Sequence, residues 1–268
     1  MNKKVLEVRV IHNEEIAENV WSIVIEYPSS IAVRPGQFVN VYLNRRDLLL
    51  PRPISICKAE GERLTLLYGV VGKGTEELST YRANTLIRVS TPLGNGYNLK
   101  EIEGNSPRQL SAMVVGGGIG VPPLLELTYN LVAMGLHVNA VIGFRKEPFL
   151  VTDLKAAGAT VYVATDNGSE GFHGDVIGLI EKESLSSDYY FACGPKPMLK
   201  AISKHCACNE KDVQVSLEER MGCGYGACVG CTCKIRTFSF SDEDVNIVRK
   251  RVCKDGPVFW GKEVVWDE

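Results

Sequence analysis

The first hundred residues alternate between apolar and polar side chains in short runs. This period of two predicts β-strands with one buried face. The pattern recurs over residues 5–11, 20–25, 38–43, 64–71 and 86–90. Turn-forming segments such as Arg-Pro-Gly-Gln at residues 34–37 separate the runs. Short strands joined by such turns predict a small antiparallel β-barrel over residues 1–105.

From about residue 106 the pattern changes. Mostly apolar runs at residues 113–115, 138–144 and 160–164 alternate with helical stretches, the first at residues 122–134. That alternation predicts a parallel α/β sheet of Rossmann-like type. The chain is therefore expected to combine β and α/β domains: a barrel, a parallel α/β domain over residues 106–211, and a small C-terminal lobe over residues 212–268.

Composition narrows the possible functions. The chain has 268 residues and a formal net charge of −2, with no basic tract to suggest nucleic-acid binding. No apolar run is long enough to span a bilayer, and the N-terminus does not have the pattern of a signal peptide. Nine cysteines without a secretory signal indicate a reducing compartment. The expected location is the cytoplasm.

The C-terminal lobe contains the most specific motif. Cys223, Cys228 and Cys231 have the C-x4-C-x2-C spacing of a plant-type [2Fe–2S] cluster, which needs one more cysteine downstream. Cys253 is the expected fourth ligand because it lies on a separate loop followed by Gly-Pro. Cys233 is an alternative fourth ligand, because it follows Cys231 by only two positions. It is less favoured than Cys253, which lies on an independent loop.

The same cysteines allow a second interpretation, a structural zinc site. Zinc sites favour two C-x2-C pairs, whereas this lobe has one such pair and an offset third thiol. The iron–sulfur cluster is therefore the favoured prediction. The zinc alternative would make the chain a redox-sensing or zinc-stabilised binding module without flavin.

Three segments upstream have the composition of phosphate sites. Arg-Pro-Ile-Ser at residues 52–55 offers a cation and a hydroxyl, and Gly-Lys-Gly-Thr at residues 72–75 offers N–H donors and a hydroxyl. Residues 116–120, Gly-Gly-Gly-Ile-Gly, lie between a predicted strand and a predicted helix, where a nucleotide phosphate binds in Rossmann-like folds. Each segment alone is also compatible with a strand end or a glycine turn.

Together with Cys-Gly-Pro-Lys-Pro-Met at residues 193–198, these segments occur in the order seen in the ferredoxin–NADP reductase superfamily. The resemblance implies a barrel that binds FAD and an α/β domain that binds a nicotinamide nucleotide. Residues 92–97, 219–224 and 251–259 further resemble the electron-transfer subunits of class 1B dihydroorotate dehydrogenases. The similarity covers essentially the whole chain.

The resemblance implies a role for each motif. The first motif, residues 52–55, would hold FAD, with Arg52 countering the pyrophosphate and Ser55 near the hydride-accepting edge of the flavin. Residues 72–75 would assist at the pyrophosphate, and the glycines after residue 116 would let the nucleotide approach the sheet. The residues implied in cofactor binding are Arg52, Pro53, Ile54, Ser55, Gly72, Gly74, Thr75, Gly117, Gly118, Gly120, Cys193, Gly194 and Pro195. No residue of this chain is assigned to catalysis.

The resemblance also implies a route for electrons. Dihydroorotate would be oxidised at FMN on a separate catalytic subunit, and electrons would pass through [2Fe–2S] and FAD to NAD in pyrimidine biosynthesis. The implied assembly is a heterotetramer with two copies of each subunit. A rival is a similar reductase subunit of an NAD(P)H–ferredoxin oxidoreductase, sulfide dehydrogenase or hydrogenase complex. Four cysteine ligands favour the dihydroorotate reading, because some of those relatives are expected to replace one ligand with aspartate.

Three features stand apart from the implied pattern. Pro51 occupies a position where a basic residue is expected. The segment 232–252 is long for the subfamily and contains an acidic stretch at residues 239–244. Arg145 and Lys146 follow the run at 138–144 and would suit a 2′-phosphate, although the resemblance favours NAD over NADP.

Overall fold

The computed structural model describes residues 4–103, 110–238 and 245–266. The predicted boundary near residue 105 and the acidic stretch 239–244 lie outside these ranges. Within them the predicted fold class is confirmed, since a β-barrel is followed by a parallel α/β sheet and a small cysteine-rich lobe. No helix among the described residues has the length and apolarity needed to cross a membrane.

Six antiparallel strands form the closed barrel. They are β1 (Val5–Ala17), β2 (Val20–Glu26), β3 (Phe38–Tyr42), β4 (Arg52–Glu60), β5 (Arg63–Gly69) and β6 (Leu86–Ser90). Their order around the barrel is β1-β2-β5-β4-β3-β6, and pairing of β1 with β6 closes it. Branched apolar side chains such as Ile23, Ile25, Val39 and Val41 fill the interior. Helix α1 (Lys73–Ser79) follows β5, and the short helix α2 (Lys100–Glu103) follows β6.

The second domain alternates strands and helices, as the sequence predicted. Its elements are β7 (Ser111–Gly117), α3 (Pro122–Ala133), β8 (His137–Phe144), α4 (Val151–Ala156), β9 (Thr160–Thr165), β10 (Phe172–His173), α5 (Val176–Lys182), β11 (Tyr189–Cys193), α6 (Lys196–Cys208) and β12 (Val213–Ser216). The strands pair in parallel in the order β10-β9-β8-β7-β11-β12. The chain leaves β7 on one side and returns on the other, which opens a crevice at the carboxyl ends of β7 and β11.

The C-terminal segment contributes to two structures. Strands β13 (Thr232–Phe238) and β14 (Val245–Arg251) pair in antiparallel fashion, so the described parts of the long segment 232–252 form a two-stranded ribbon. Helix α7 (Val252–Asp255) follows, and β15 (Val258–Trp260) then pairs with β12 at the edge of the large sheet. Both β12 and β15 thus belong to the α/β sheet, although they fall within the range predicted for the lobe. The three domain ranges remain predictions.

One apolar cluster joins all three parts. It contains Phe38 and Leu93 from the barrel, Val215 from the sheet, and Cys231 and Cys253 from the lobe, all buried. Removing this much apolar surface from water stabilises the lobe against both domains. Two of the predicted cluster ligands, Cys231 and Cys253, are therefore held at the junction of the three parts.

Candidate functional site

The first part of the site lies on the barrel, where β4 begins. Strand β4 starts at Arg52, and its guanidinium group lies against Gly74 in α1. A Cβ atom on Gly74 would overlap the Arg52 guanidinium group, so Arg52 can hold this position only while residue 74 is glycine. The guanidinium group also donates to the carbonyl of Leu50. The structure thus brings together a cation and the glycine segment that the sequence predicted as a pyrophosphate site.

Two residues of the predicted flavin motifs have structural roles of their own. The Thr75 hydroxyl accepts the N–H groups of Val71 (2.9 Å) and Gly72 (3.3 Å) and donates to the Gly72 carbonyl. Thr75 therefore shapes the glycine loop from within. Ile54 is buried in the barrel core, so only its main chain is available to a cofactor. Pro53 and Ser55 are half-buried on the same strand.

The second part of the site is the crevice between β7 and β11. Gly116 lies opposite Cys193 in the parallel ladder, so the two loops that follow these residues meet. A Cβ atom on Gly120 would lie 2.5 Å from both the Cys193 carbonyl oxygen and Gly194 Cα. Close packing of these loops therefore requires glycine at position 120. This crevice is the position at which doubly wound sheets bind nucleotides.

The remaining crevice residues divide into packed and open positions. Gly117 also faces its neighbours, since a Cβ atom there would lie 2.9 Å from Pro195 Cδ. Gly118, with φ +51, faces open space. Burial raises the pKa of the Cys193 thiol to about 12, so this side chain is a neutral thiol at pH 7. The structure thus places Gly117 and Gly120 against the loop after β11, while their role in nucleotide binding stays a prediction.

Arg145 and Lys146 follow β8, the strand next to β7. Arg145 is exposed. Lys146 forms an exposed ion pair with Glu18 at 3.7 Å, and its carbonyl accepts the Ser169 hydroxyl. An exposed pair of this kind contributes little stability. The choice between NAD and NADP therefore stays a prediction.

The third part of the site is the group of four cysteines. Cys231 and Cys253 are buried, Cys223 is half-buried and Cys228 is exposed. Burial alone would raise the pKa of Cys223, but N–H groups of the following loop, among them those of Cys228 (3.5 Å) and Tyr225 (3.4 Å), lower it to about 6. Donors that favour a thiolate also favour a metal-bound sulfur.

Cys253 completes the group. Burial, a hydrogen bond with Cys231 and the charges of Cys231 and Cys223 raise the pKa of Cys253 to about 12. The thiol of Cys233 instead lies 3.7 Å from the Lys250 carbonyl within the hairpin. The structure therefore places Cys253 next to both Cys231 and Cys223, whereas the Cys233 thiol faces the hairpin.

These thiols fit the group that the sequence predicted. Four cysteine sulfurs and nearby N–H donors are the donor set of a [2Fe–2S] cluster. Cys223, Cys228, Cys231 and Cys253 would hold the cluster.

Several contacts between the barrel and the lobe were not predicted from the sequence. Asn40 Nδ2 donates to the carbonyl of Cys223 at 2.9 Å, and the hydroxyls of Tyr42 and Tyr225 are 2.7 Å apart. On β3, polar side chains alternate with buried valines, and this alternation was the available signal for the contact. The same pattern is also typical of a strand with one face in solvent. The partner of this face comes from 183 residues further along the chain.

The loop at residues 92–97 anchors the segment that follows the fourth cysteine. Asn95 Nδ2 donates to the Val258 carbonyl (2.8 Å), and Asn95 Oδ1 accepts the Val258 N–H (3.1 Å). The Tyr97 hydroxyl donates to the Ala192 carbonyl at 3.0 Å, which anchors the loop to the sheet. This loop thus connects the crevice to the cysteine lobe.

Comparison with known sequences gives consistent matches. Residues 218–265 match the family model described as the iron–sulfur cluster binding domain of dihydroorotate dehydrogenase B. The chain is 38% identical over 261 residues to the dihydroorotate dehydrogenase B (NAD(+)) electron transfer subunit of Caldanaerobacter subterraneus subsp. tengcongensis, covering 97% of this chain and 98% of the relative. It is 40% identical over 265 residues to the subunit of the same name from Geobacillus sp. strain WCH70, covering 97% and 98%.

Solved structures match the fold. A chain of the NADH-dependent reduced ferredoxin–NADP oxidoreductase superposes with a TM-score of 0.80 at 29% identity, covering 97% of this chain and 90% of that one. A ferredoxin–NADP+ reductase from Neisseria gonorrhoeae, solved with FAD and NADP bound, gives a TM-score of 0.62 at 17% identity, covering 75% and 89%. The second similarity concerns the fold alone.

Proposed function

We propose, because this chain belongs to the family of dihydroorotate dehydrogenase B (NAD(+)) electron transfer subunits, that it carries electrons from a dihydroorotate-oxidising partner to NAD+. The observation that carries the proposal is the grouping of Cys223, Cys228, Cys231 and Cys253 against the outer face of a barrel strand. That strand pairs with β4, which begins with Arg52. One chain thus combines a cluster site, a flavin motif and a nucleotide crevice.

Each part of the site has a task in this proposal. Arg52 balances the pyrophosphate charge of FAD, and the glycine segment at residues 72–75 supplies backbone donors beside it. The crevice between β7 and β11 orients the nicotinamide nucleotide, with Cys193, Gly194 and Pro195 at its wall. FAD and a [2Fe–2S] cluster, when bound, supply the exchange between two-electron and one-electron transfer.

The proposed partner is an FMN-containing catalytic subunit that oxidises dihydroorotate for pyrimidine synthesis. The proposed assembly is a heterotetramer with two copies of each chain. The described residues of this chain form the antiparallel barrel, the α/β sheet and the lobe. They include no eight-stranded parallel barrel that could carry out the pyrimidine chemistry. Dihydroorotate oxidation is therefore assigned to the partner.

An anoxic visible spectrum before and after addition of NADH tests the proposal. We expect flavin and iron–sulfur bands in the purified chain, and NADH should bleach both, because the crevice, the flavin motif and the cysteines are parts of one path. A flavin spectrum without a cluster would contradict the cysteine assignment. A colourless protein would move the chain to the class of binding modules.

A second measurement separates the dihydroorotate proposal from the rival reductases. The similarity to the NADH-dependent reduced ferredoxin–NADP oxidoreductase makes ferredoxin the appropriate competing substrate. The chain mixed with its dihydroorotate-oxidising partner should reduce NAD+ when dihydroorotate is added. Electron exchange with ferredoxin, and none with that partner, would favour the rival.

The cluster lobe should face the partner, and Val229 tests this prediction. Val229 lies next to Cys228 and is 59% exposed with φ +49, so an apolar side chain stands out at the tip of the cysteine loop. Val229→Asp should slow dihydroorotate-driven reduction of NAD+ by about 10-fold, because it places a charge in an apolar contact. NADH oxidation by an artificial acceptor that takes electrons from the flavin should be unchanged.

The matched control is Val5→Asp. Val5 is also exposed (48%) but lies at the start of β1 on the barrel. This variant should leave both activities at the wild-type level. Equal loss of the two activities in Val229→Asp would show damage to the chain itself and would refute the docking prediction.

A further inference from the structure

We propose that Asn40 is a positioning residue for the iron–sulfur cluster. Its side chain holds the Cys223 loop against β3, the strand next to the flavin motif. This inference deepens the proposed function and rests on it. Asn40 is placed on the barrel, 183 residues before Cys223, and no motif in the sequence includes it. The evidence is the geometry of its amide group.

The Asn40 side chain points outward from the barrel and not into its core. Its neighbours Val39 and Val41 point into the barrel core, so Asn40 lies on the outer face of β3. Asn40 is fully buried there, because the cysteine loop packs against it. Asn40 Nδ2 donates to the Cys223 carbonyl at 2.9 Å. A carbonyl only accepts hydrogen bonds, so the nitrogen of the amide must face Cys223.

The orientation of the amide leaves its oxygen without a well-aligned hydrogen-bond partner. Asn40 Oδ1 is buried and has no partner of standard geometry among the described residues, although the Asn40 side chain also interacts with the Tyr225 hydroxyl. An unpaired buried acceptor lowers stability. An apolar side chain of similar size would avoid that cost on a covered barrel face. The polar residue is therefore better explained by its bond to Cys223 than by packing.

The contact acts on the sulfur of Cys223 through the loop backbone. The Asn40 amide packs against Gly224, whose φ is +72 and where a Cβ atom would lie 2.5 Å from Asn40 Nδ2. The next residue, Tyr225, directs its N–H at Cys223 Sγ (3.4 Å). Holding the Cys223 carbonyl and Gly224 therefore holds the N–H donor aimed at the sulfur. Such donors tune the potential of a cluster.

The same residue connects the cluster to the flavin strand. Asn40 lies opposite Pro53 in the pairing of β3 with β4, within the motif that begins at Arg52. The Tyr42–Tyr225 hydroxyl contact of 2.7 Å lies further along the same strand. Asn40 thus bonds directly to the main chain of a cluster ligand while its own strand borders the flavin motif. Its loss should affect both the cluster potential and flavin-to-cluster transfer.

The experiment uses the full chain with its cofactors and the variants Asn40→Ala and Asn40→Asp. Midpoint potentials of cluster and flavin are measured by redox titration with EPR and visible spectra, and cluster loss is followed with an iron chelator. Both variants should lower the cluster potential, because the N–H donor to Cys223 Sγ is no longer held. Asn40→Asp should lower it further, because it adds negative charge. Cluster loss should accelerate about 10-fold, the scale for supporting residues of metal sites.

The matched control is Asn13→Ala. Asn13 lies in the barrel and also donates to main-chain carbonyls, those of Leu78 (2.9 Å) and Tyr81 (3.1 Å), but it does not contact the lobe. This variant should lower the melting temperature and leave the cluster potential and the EPR signal unchanged. The flavin potential should be the same in all variants.

Two results would overturn the inference, and only one of them would also overturn the proposed function. If the wild-type chain has its cluster, and the Asn40 variants change only the melting temperature, Asn40 is merely structural and the proposed function stands. If the wild-type chain binds no cluster, both proposals fail together. A lowered cluster potential with an unchanged flavin potential supports the positioning role.

Discussion

Replacing Cys253 by alanine is expected to abolish the iron–sulfur spectrum and to reduce electron transfer from the partner by at least about 100-fold. Supporting residues alone account for about 10- to 100-fold in metal affinity, so loss of a direct ligand should reach at least the upper end of that range. Cys253 is fully buried beside Cys231, so solvent is poorly placed to substitute for the lost sulfur. Iron content, EPR of the reduced chain and dihydroorotate-driven NAD+ reduction measure the effect.

Cys233→Ala is the matched control for this substitution. Cys233 is a buried cysteine of the same lobe, but its thiol faces the Lys250 carbonyl in the hairpin. The variant should keep its iron and its spectrum. NADH oxidation by an acceptor that takes electrons from the flavin should survive in both variants. Loss of iron in Cys233→Ala, with retention in Cys253→Ala, would exchange the two assignments.

Replacing Gly120 by alanine is expected to disable the nucleotide crevice while leaving flavin and cluster in place. The added Cβ atom would lie 2.5 Å from the Cys193 carbonyl and from Gly194 Cα, and backbone atoms cannot turn aside as a side chain can. The loops after β7 and β11 must therefore separate. The KM for NADH should rise by about 10-fold or more, because small misplacements at a binding site have effects of that size or larger.

Gly69→Ala provides the comparison. Gly69 ends β5, and the nearest atom to an added Cβ lies 3.7 Å away, an ordinary van der Waals distance. NADH kinetics and cofactor content should match the wild type. Flavin and iron measurements on Gly120→Ala separate a local effect from misfolding, since the barrel and the lobe do not contain the substituted residue. An unchanged KM in a folded Gly120→Ala chain would remove the crevice from the nucleotide site.

Local patterns explain why much of the fold was predictable. Alternating apolar residues identified five of the six barrel strands, all except β4, since a strand with one buried face must alternate. The apolar runs between helices identified the parallel sheet, because such strands are covered on both faces. The sequence patterns did not indicate β12 and β15, which join the edge of the large sheet. Pairing between strands more than 40 residues apart leaves no mark in either strand alone.

The candidate site also has features that the sequence predicted and features that it did not. Cysteine spacing predicted the ligand set, because the geometry of a two-iron cluster constrains a short loop directly, and that ligand set remains a prediction. The roles of Thr75 and Ile54 were not visible, since each depends on which way a side chain turns in the folded chain. A hydroxyl in a glycine loop looks the same in the sequence whether it binds a ligand or its own backbone. The assignments to FAD and the nucleotide remain predictions.

The sequence by itself determined the order of the parts, the strand and helix periods, and the thiols available to a cluster, because these properties depend on neighbours along the chain. Only the tertiary structure showed that Asn40 bonds to the Cys223 loop and that Cys253, unlike Cys233, lies next to both Cys231 and Cys223. Asn40, Asn95 and Cys253 come from three distant segments, and their contacts arise when the lobe packs on the barrel and the sheet. Burial and hydrogen-bond geometry, which no local pattern encodes, made that selection.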